Sequence, residues 1–312
     1  MSEDKKTVTM VVPVYNEEDN IEHFSNAVEE VMKKLPYDYK ILFVNDGSKD
    51  RSAEILEKMS AEDVHIQAIL LARNYGHQVA LTCGLDNAEG DVVITMDGDM
   101  QHPPALIPTL LSKWEQGYDV VQTIRETTKG VSFFKKFTSK CYYKILNLLS
   151  DVPIHEGGSD FRLMDKRVVE AFRQYHEHDK FIRGLIGAIG YKQTLINFEA
   201  PERFAGVSKF SLHKMLHFAL DGILAHSTTP LRMAFYIGLL SGLVSIVFFI
   251  HVIYETLLGN VVPGWATITV ALSFFGGIQL VFLGVVGEYI ARIFREVKNR
   301  PIYFIDKKYN FN

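Results

Sequence analysis

Cysteine is nearly missing from this chain of 312 residues; Cys83 and Cys141 are the two present, and they lie far apart. That excludes a disulfide framework and a thiolate metal site of the usual spacing, and both read as ordinary residues of a reducing compartment. Net charge is also small, −4, so no strong field draws the chain to nucleic acid. The opening Met-Ser-Glu-Asp-Lys-Lys has no apolar run, which argues against a secretory leader and places the bulk of the protein in the cytosol. Neither glycine-rich phosphate loop, of the dinucleotide or the P-loop kind, occurs. A bound diphosphate would therefore have to rely on a metal and basic side chains. The most telling absence is of lysine and arginine between Arg232 and Arg292, whereas both flanks are basic.

What is present supports a sizeable core: 47% of residues are apolar and 22% charged, a balance that argues against disorder. Short β-branched runs at 9–14, 41–44, 66–71, 92–96 and 120–124 look like buried parallel strands. Amphipathic stretches at 18–35, 52–60, 77–87 and 105–115 separate them. Such alternation predicts an α/β fold with a doubly wound, mainly parallel sheet.

The last third differs in kind. Residues 233–257 and 265–291 each contain the roughly 20 apolar residues a bilayer crossing needs. The link at 258–264 holds Asn260, Pro263 and Gly264, as a helical hairpin would. Arg232 before the first span and Arg292, Arg295, Lys298 and Arg300 after the second predict that both ends face the cytosol. Two lysine-bearing amphipathic segments, 131–149 and 208–225, fit either the headgroup layer or a packed surface helix. The layout expected is a catalytic domain with interfacial helices over 1–228, a transmembrane hairpin over 229–292 and a cytosolic tail over 293–312.

Ligands of a doubly wound sheet bind beyond the carboxyl ends of its strands. Three acidic clusters fall there: Pro13-Val14-Tyr15-Asn16-Glu17-Glu18, Asn45-Asp46-Gly47-Ser48 and Asp97-Gly98-Asp99-Met100-Gln101. On an extended segment Asp97, Asp99 and Gln101 would point one way, offering oxygen ligands suited to Mg²⁺ or Mn²⁺. Arg162, Arg203 and Lys209 are candidate phosphate contacts, with a structural ion pair open for Arg162 and a membrane-surface role for Lys209. His77 and His102 flank the site and could touch substrate, but solvated or helix-capping roles are expected for each.

Taken in order, these motifs resemble the family 2 glycosyltransferases with a GT-A fold. Arg73-Asn74-Tyr75-Gly76-His77, Asp99-Met100-Gln101-His102-Pro103-Pro104, Gly158-Ser159-Asp160-Phe161-Arg162 and the run Glu202 to Lys209 narrow the likeness to polyisoprenyl-phosphate glycosyltransferases of the bactoprenol and dolichyl-phosphate kinds. The resemblance implies an inverting, metal-dependent enzyme of the inner (plasma) membrane, tetrameric in some members. Its donor would be UDP-glucose, then UDP-N-acetylglucosamine, with GDP-mannose as the runner-up, and its acceptor undecaprenyl phosphate. It also implies nucleotide-sugar binding by Pro13, Tyr15, Glu17, Asp46, Arg73 and Asp97, and metal binding by Asp97, Asp99 and Gln101. Acceptor contacts would come from Arg162, Arg203, Ser208 and Lys209, and Asp160 and Asp99 would be the catalytic carboxylates, with Asp160 acting as base, orienting Arg162 or a sugar hydroxyl, or merely capping a helix. A processive synthase is set aside because neither tryptophan follows an arginine. A non-catalytic scaffold is disfavoured by the intact Asp46, Asp97 and Asp99.

Overall fold

The computed structural model describes residues 5–125, 158–178, 180–199, 229–259 and 264–311. The amphipathic segments expected at 131–149 and 208–225, with Arg203, Ser208 and Lys209, lie outside those residues. The chain forms two compact units, one holding the sheet together with residues from Pro301 onward and the other holding two long helices.

In the first unit, β1 (Thr7–Val14), β2 (Asp38–Asn45), β3 (Ile66–Leu71) and β4 (Val92–Thr95) pair in parallel. Their side chains are buried on both faces, as helix-covered parallel strands require. Val8, Met10 and Val12 of β1 pack with Phe24 and Val28 of α1 (Ile21–Met32), while Val11 packs with Ala80 and Leu81 of α3 (His77–Asn87) on the opposite face. Alternate strand residues thus serve two cores. A Cβ on Gly84 of α3 would sit 2.2 Å from Val11 Cγ1, so glycine is what lets this helix lie so close to β1. The remaining connections in this half are α2 (Ser52–Glu62) and a short 3₁₀ turn (Pro104–Leu106) running into α4 (Ile107–Glu115). The doubly wound, mainly parallel sheet expected from the sequence is the one found.

Beyond the expected strands, the sheet has eight in the order β7-β5-β6-β4-β1-β2-β3-β8. Parallel β5 (Val120–Arg125) and β7 (Gln193–Phe198) flank one another at one side. Between β5 and β4 runs β6 (Gly158–Asp165), antiparallel to both. This reversal matters for function. Thr95 at the carboxyl end of β4 is in register with Arg162, so the start of β6, with Ser159 and Asp160, falls at the ligand edge. The helices α5 (Lys166–Arg173) and α6 (Ile182–Ala188) follow, α5 being capped by the Asp165 side chain, which accepts from Arg167 N–H.

The tail does not stand apart from the sheet. Its β8 (Ile305–Tyr309) pairs antiparallel with β3. Asn310 Nδ2 donates to the carbonyls of Asp63, Val64 and Ile66 at 3.2, 3.1 and 2.9 Å. Tyr303 donates to Asp86 at 3.0 Å.

The second unit contains α7 (Thr229–Leu257) and α8 (Trp265–Lys298), packed on each other. With 29 and 34 residues at about 1.5 Å per residue, each exceeds the roughly 30 Å hydrocarbon core of a bilayer. Leu239, Leu240, Val247, Phe248 and Phe249 of α7, with Leu272, Leu280 and Leu283 of α8, leave their apolar surface exposed. Surface of that kind is what lipid covers. Arg295 and Lys298 mark the last turn of α8, where cations oppose the helix dipole.

Candidate active site

The loops leaving β1 and β2 are laced together. Asn16, in the left-handed region at φ 53°, donates its N–H to Ser48 Oγ (2.9 Å) and accepts from Lys49 N–H (2.8 Å). Glu17 and Glu18 donate their backbone N–H groups to Ser52 Oγ (3.1 Å) and Asp50 Oδ2 (3.2 Å). Pro13 is buried in register with Val44, Tyr15 is half-buried and Glu17 Oε2 accepts from Asn20 Nδ2 at 2.5 Å. Asn45 closes the second loop, its Oδ1 accepting from Ser48 N–H at 2.9 Å, a local turn that an amide or carboxylate serves equally.

Asp46 is placed differently from a residue open to ligand. It is 3% exposed, and its Oδ1 and Oδ2 accept from the N–H groups of Tyr75 (2.7 Å) and Gly76 (2.9 Å). Burial pushes its carboxyl up, against those two bonds and the nearby charges of His77 and Arg73. Asp46 therefore braces the loop between β3 and α3. Gly47, at φ 66°, lies so near that a Cβ would meet Arg73 C at 2.4 Å and Asn74 N at 2.5 Å, so only glycine fits. Arg73 is exposed, with its guanidinium 4.2 Å from the Tyr75 ring centroid.

The Asp97–Gln101 segment is not extended. Met100 adopts φ 64°, and Asp99 Oδ1 accepts from Gln101 N–H at 3.1 Å, so the chain turns after Asp97. The picture of Asp97, Asp99 and Gln101 alternating along one strand face is thus corrected. Gln101 Oε1 accepts from Arg125 Nη1 at 3.3 Å, while Asp97 and Asp99 stay half-buried at the strand end. Two carboxylates with no thiolate beside them suit a hard cation, which commonly takes one or two carboxylates and completes its shell with water and substrate phosphate; the His77 and His102 rings stand 3.6 and 3.5 Å from Asp97. Among the described residues no three His, Cys, Asp or Glu side chains converge on a metal-sized point.

His102 supports this turn from beneath. Buried and stacked on Phe161 at 5.1 Å, it accepts from Asp97 N–H through Nδ1 at 2.8 Å. The proton then belongs on Nε2, which lies 2.7 Å from Ser159 Oγ. The solvated or capping role expected for His102 is replaced by a buried bridge between β4 and β6.

Asp160 is the hub. Arg183 meets it side-on, Nε to Oδ1 at 2.8 Å and Nη2 to Oδ2 at 3.0 Å. Arg162 Nη2 reaches Oδ1 and Gln78 Nε2 reaches Oδ2, both at 3.3 Å. Burial alone would raise the carboxyl, but the charge and bonds of Arg183, with His77 and Arg162, hold it well below the usual carboxylate range. His77 Nε2 stands 3.5 Å from Asp160 Oδ2 and 3.6 Å from Asp97 Oδ1. Loss of solvent opposes charge on its ring, yet these two carboxylates outweigh that and push its pKa up to about 9. His77 thereby ties the turn after β4 to the start of β6.

Arg162 needs correction as an acceptor contact. It is 1% exposed, and among the described residues Nε and Nη1 have no hydrogen-bond partner. Burial lowers its pKa to about 10, Asp160 opposing that and Arg183 adding to it. Arg162 is a buried ion-pair partner of Asp160, the structural alternative its sequence context left open. His77 reads from sequence as flanking the site, with a solvated or capping role expected, whereas Gln78 and Arg183 are not singled out there. His77 at least closes a recognisable motif, whereas Arg183, in a helix with no motif, becomes visible only through the tertiary pairing.

The chain thus presents an α/β sheet with two interlaced loops at its carboxyl edge and an acidic turn after β4. The family model "Glycosyl transferase family 2" matches residues 9–173 and "GtrB C-terminal hairpin" matches 229–293. The chain belongs to the family 2 glycosyl transferases. Among similar proteins, a glycosyltransferase of Bacillus subtilis called uncharacterized, YkcC, is 42% identical over 302 residues, covering 96% of this chain and 94% of its own. The SfII prophage-derived bactoprenol glucosyl transferase of Shigella flexneri is 40% identical over 306 residues, covering 98% and 99%. The crystal structure of mannosyl-3-phosphoglycerate synthase from Rubrobacter xylanophilus superposes with a TM-score of 0.51 at 18% identity, covering 73% of this chain and 74% of the other. That likeness speaks for the GT-A fold alone.

Proposed function

We propose that the protein transfers a hexose, glucose first, from a UDP-sugar to undecaprenyl phosphate by a single inverting displacement. The observation that carries this is the 40% identity, across almost both whole chains, to a bactoprenol glucosyl transferase. An acceptor phosphate oxygen attacks the anomeric carbon, the bond to the donor β-phosphate breaks, and the nucleoside diphosphate leaves with that electron pair. Mg²⁺ or Mn²⁺ held by Asp97 and Asp99 would stabilise charge on the departing diphosphate. The acceptor, with a second pKa of about 6, is already a competent nucleophile at neutral pH, so the protein need not remove a proton from it. What its own residues supply is orientation and charge: the loops after β1 and β2 for the nucleotide, and the Asp97, His77 and Asp160 array where sugar and acceptor meet. The apolar hairpin would hold the enzyme where its lipid is, with Arg232 and the basic end of α8 on the cytosolic side.

A donor panel tests this. Full-length protein in detergent, given undecaprenyl phosphate, is expected to make lipid-linked product fastest from UDP-glucose. Preference for UDP-N-acetylglucosamine or GDP-mannose would reassign the sugar, and no product from any donor would sink the acceptor.

A further inference from the structure

We infer that His77 is the side chain that meets a substrate phosphate oxygen, and that Asp160 is the positioning residue that aims it. The inference rests on the phosphate-acceptor reading above and names a residue pair within that site.

A carboxylate offers about four lone-pair positions. Those of Asp160 are met by Arg183 Nε and Arg162 Nη2 on Oδ1, and by Arg183 Nη2 and Gln78 Nε2 on Oδ2. Its side chain is 9% exposed. A group so enclosed has no room to accept a substrate proton or hydroxyl. It is a fixed negative charge with its geometry locked.

Of the cationic groups around Asp160, His77 is the most open, with Arg183 at 33% exposed and spent side-on on both Asp160 oxygens. The His77 side chain is 44% exposed, against 1% for Arg162. Nε2 lies between Asp97 Oδ1 and Asp160 Oδ2 at 3.6 and 3.5 Å, too far from either for a good hydrogen bond. An N–H shared at such distances is satisfied better by a closer anionic oxygen. The backbone that carries it is pinned: Asp46 holds the N–H groups of Tyr75 and Gly76, and Gly47 packs on Arg73 and Asn74. The backbone leading into His77 is therefore held beside the gap between Asp97 and Asp160. The ligand such a donor takes is a phosphate oxygen, either of the donor diphosphate, entering beside Asp97, or of the lipid phosphate, entering beside Asp160.

His77→Ala and His77→Gln in the full chain separate these. Loss of one donor aimed at a charged oxygen commonly costs about 100-fold or more, so His77→Ala should lose roughly that in kcat/KM. His77→Gln, which keeps an N–H, should recover part of it, with both variants melting within a few degrees of wild type. Weaker binding of UDP, measured without acceptor, assigns the oxygen to the donor; unchanged UDP binding with a raised KM for undecaprenyl phosphate assigns it to the lipid. His77→Ala within twofold of wild type in both overturns the inference. For the positioning half, Asp160→Asn combined with His77→Ala should be no worse than the poorer single variant. Multiplying losses would show that Asp160 acts independently and overturn that half. If Asp160→Asn does not fold, Arg183→Lys takes its place. Wild-type protein that binds UDP yet glycosylates no undecaprenyl phosphate sinks the acceptor reading instead, and the UDP arm then decides for or against His77.

Discussion

Asp99→Asn is expected to cut turnover by two to three orders of magnitude while leaving the fold intact. The structure explains why the two effects separate. The Asp99 side chain accepts the backbone bond that shapes the turn, from Gln101 N–H at 3.1 Å, and an asparagine oxygen accepts the same bond. The turn should therefore persist. What disappears is a negative charge at the strand end, where a hard cation needs an anionic oxygen. Lewis-acid stabilisation of a leaving group supplies several kcal/mol, and each ~1.4 kcal/mol is a factor of ten in rate, hence the expected size. Turnover over a Mn²⁺ and Mg²⁺ titration, alongside the thermal shift each metal gives, measures it. A variant with wild-type turnover, or wild-type protein fully active in chelator, would remove the metal from Asp97 and Asp99.

Removing the hairpin should cost activity according to acceptor length. A plain truncation at residue 228 is a poor test, because it also deletes β8 and the Asn310 and Tyr303 bonds that finish the sheet edge. That edge would leave β3 with unpaired backbone groups. The better variant joins residue 228 to Pro301 through about 20 Gly/Ser residues, a linker with a root-mean-square reach of about 25 Å. If α7 and α8 serve to hold the enzyme at its lipid, this protein should lose about 100-fold or more with undecaprenyl phosphate in vesicles. With a short, water-soluble isoprenyl phosphate it should lose less than tenfold. The size follows from effective concentration, which anchoring at one surface raises by factors of about 10²–10⁴. Equal losses on both acceptors would mean that the helices act in folding or assembly.

Strands β1 to β5 and the helices between them were legible because each pairs a short β-branched run with an amphipathic stretch, and both cores reward that pattern. The hairpin was legible from length and missing charge. The rest depends on pairing across distance. β7 alternates exposed and half-buried residues at the sheet edge, and β8, Ile-Asp-Lys-Lys-Tyr, carries the charges that edge strands often bear; neither shows an apolar run. β6 was recognised as a motif but not as a strand. Its antiparallel course is what brings Asp160 to the end of β4, about 60 residues away in sequence, beyond the reach of any local pattern. The site followed the same division. Asp97 and Asp99 were visible as a motif, yet the turn at Met100 was missed although Gly98, Pro103 and Pro104 punctuate that stretch. Asp46 was recognised by type, and its burial against Tyr75 and Gly76 could be known only from the fold.

The central claim is that a sugar moves to a phosphate and a nucleoside diphosphate departs. Its most direct test is the identity of the released nucleotide and the linkage of the lipid product, from UDP-glucose and undecaprenyl phosphate with full-length protein. The account predicts UDP released in step with a lipid carrying one hexose through a single phosphate, and no UDP in the absence of lipid. Release of UMP with a diphosphate-linked product, or UDP formed without any lipid-linked sugar, would contradict it.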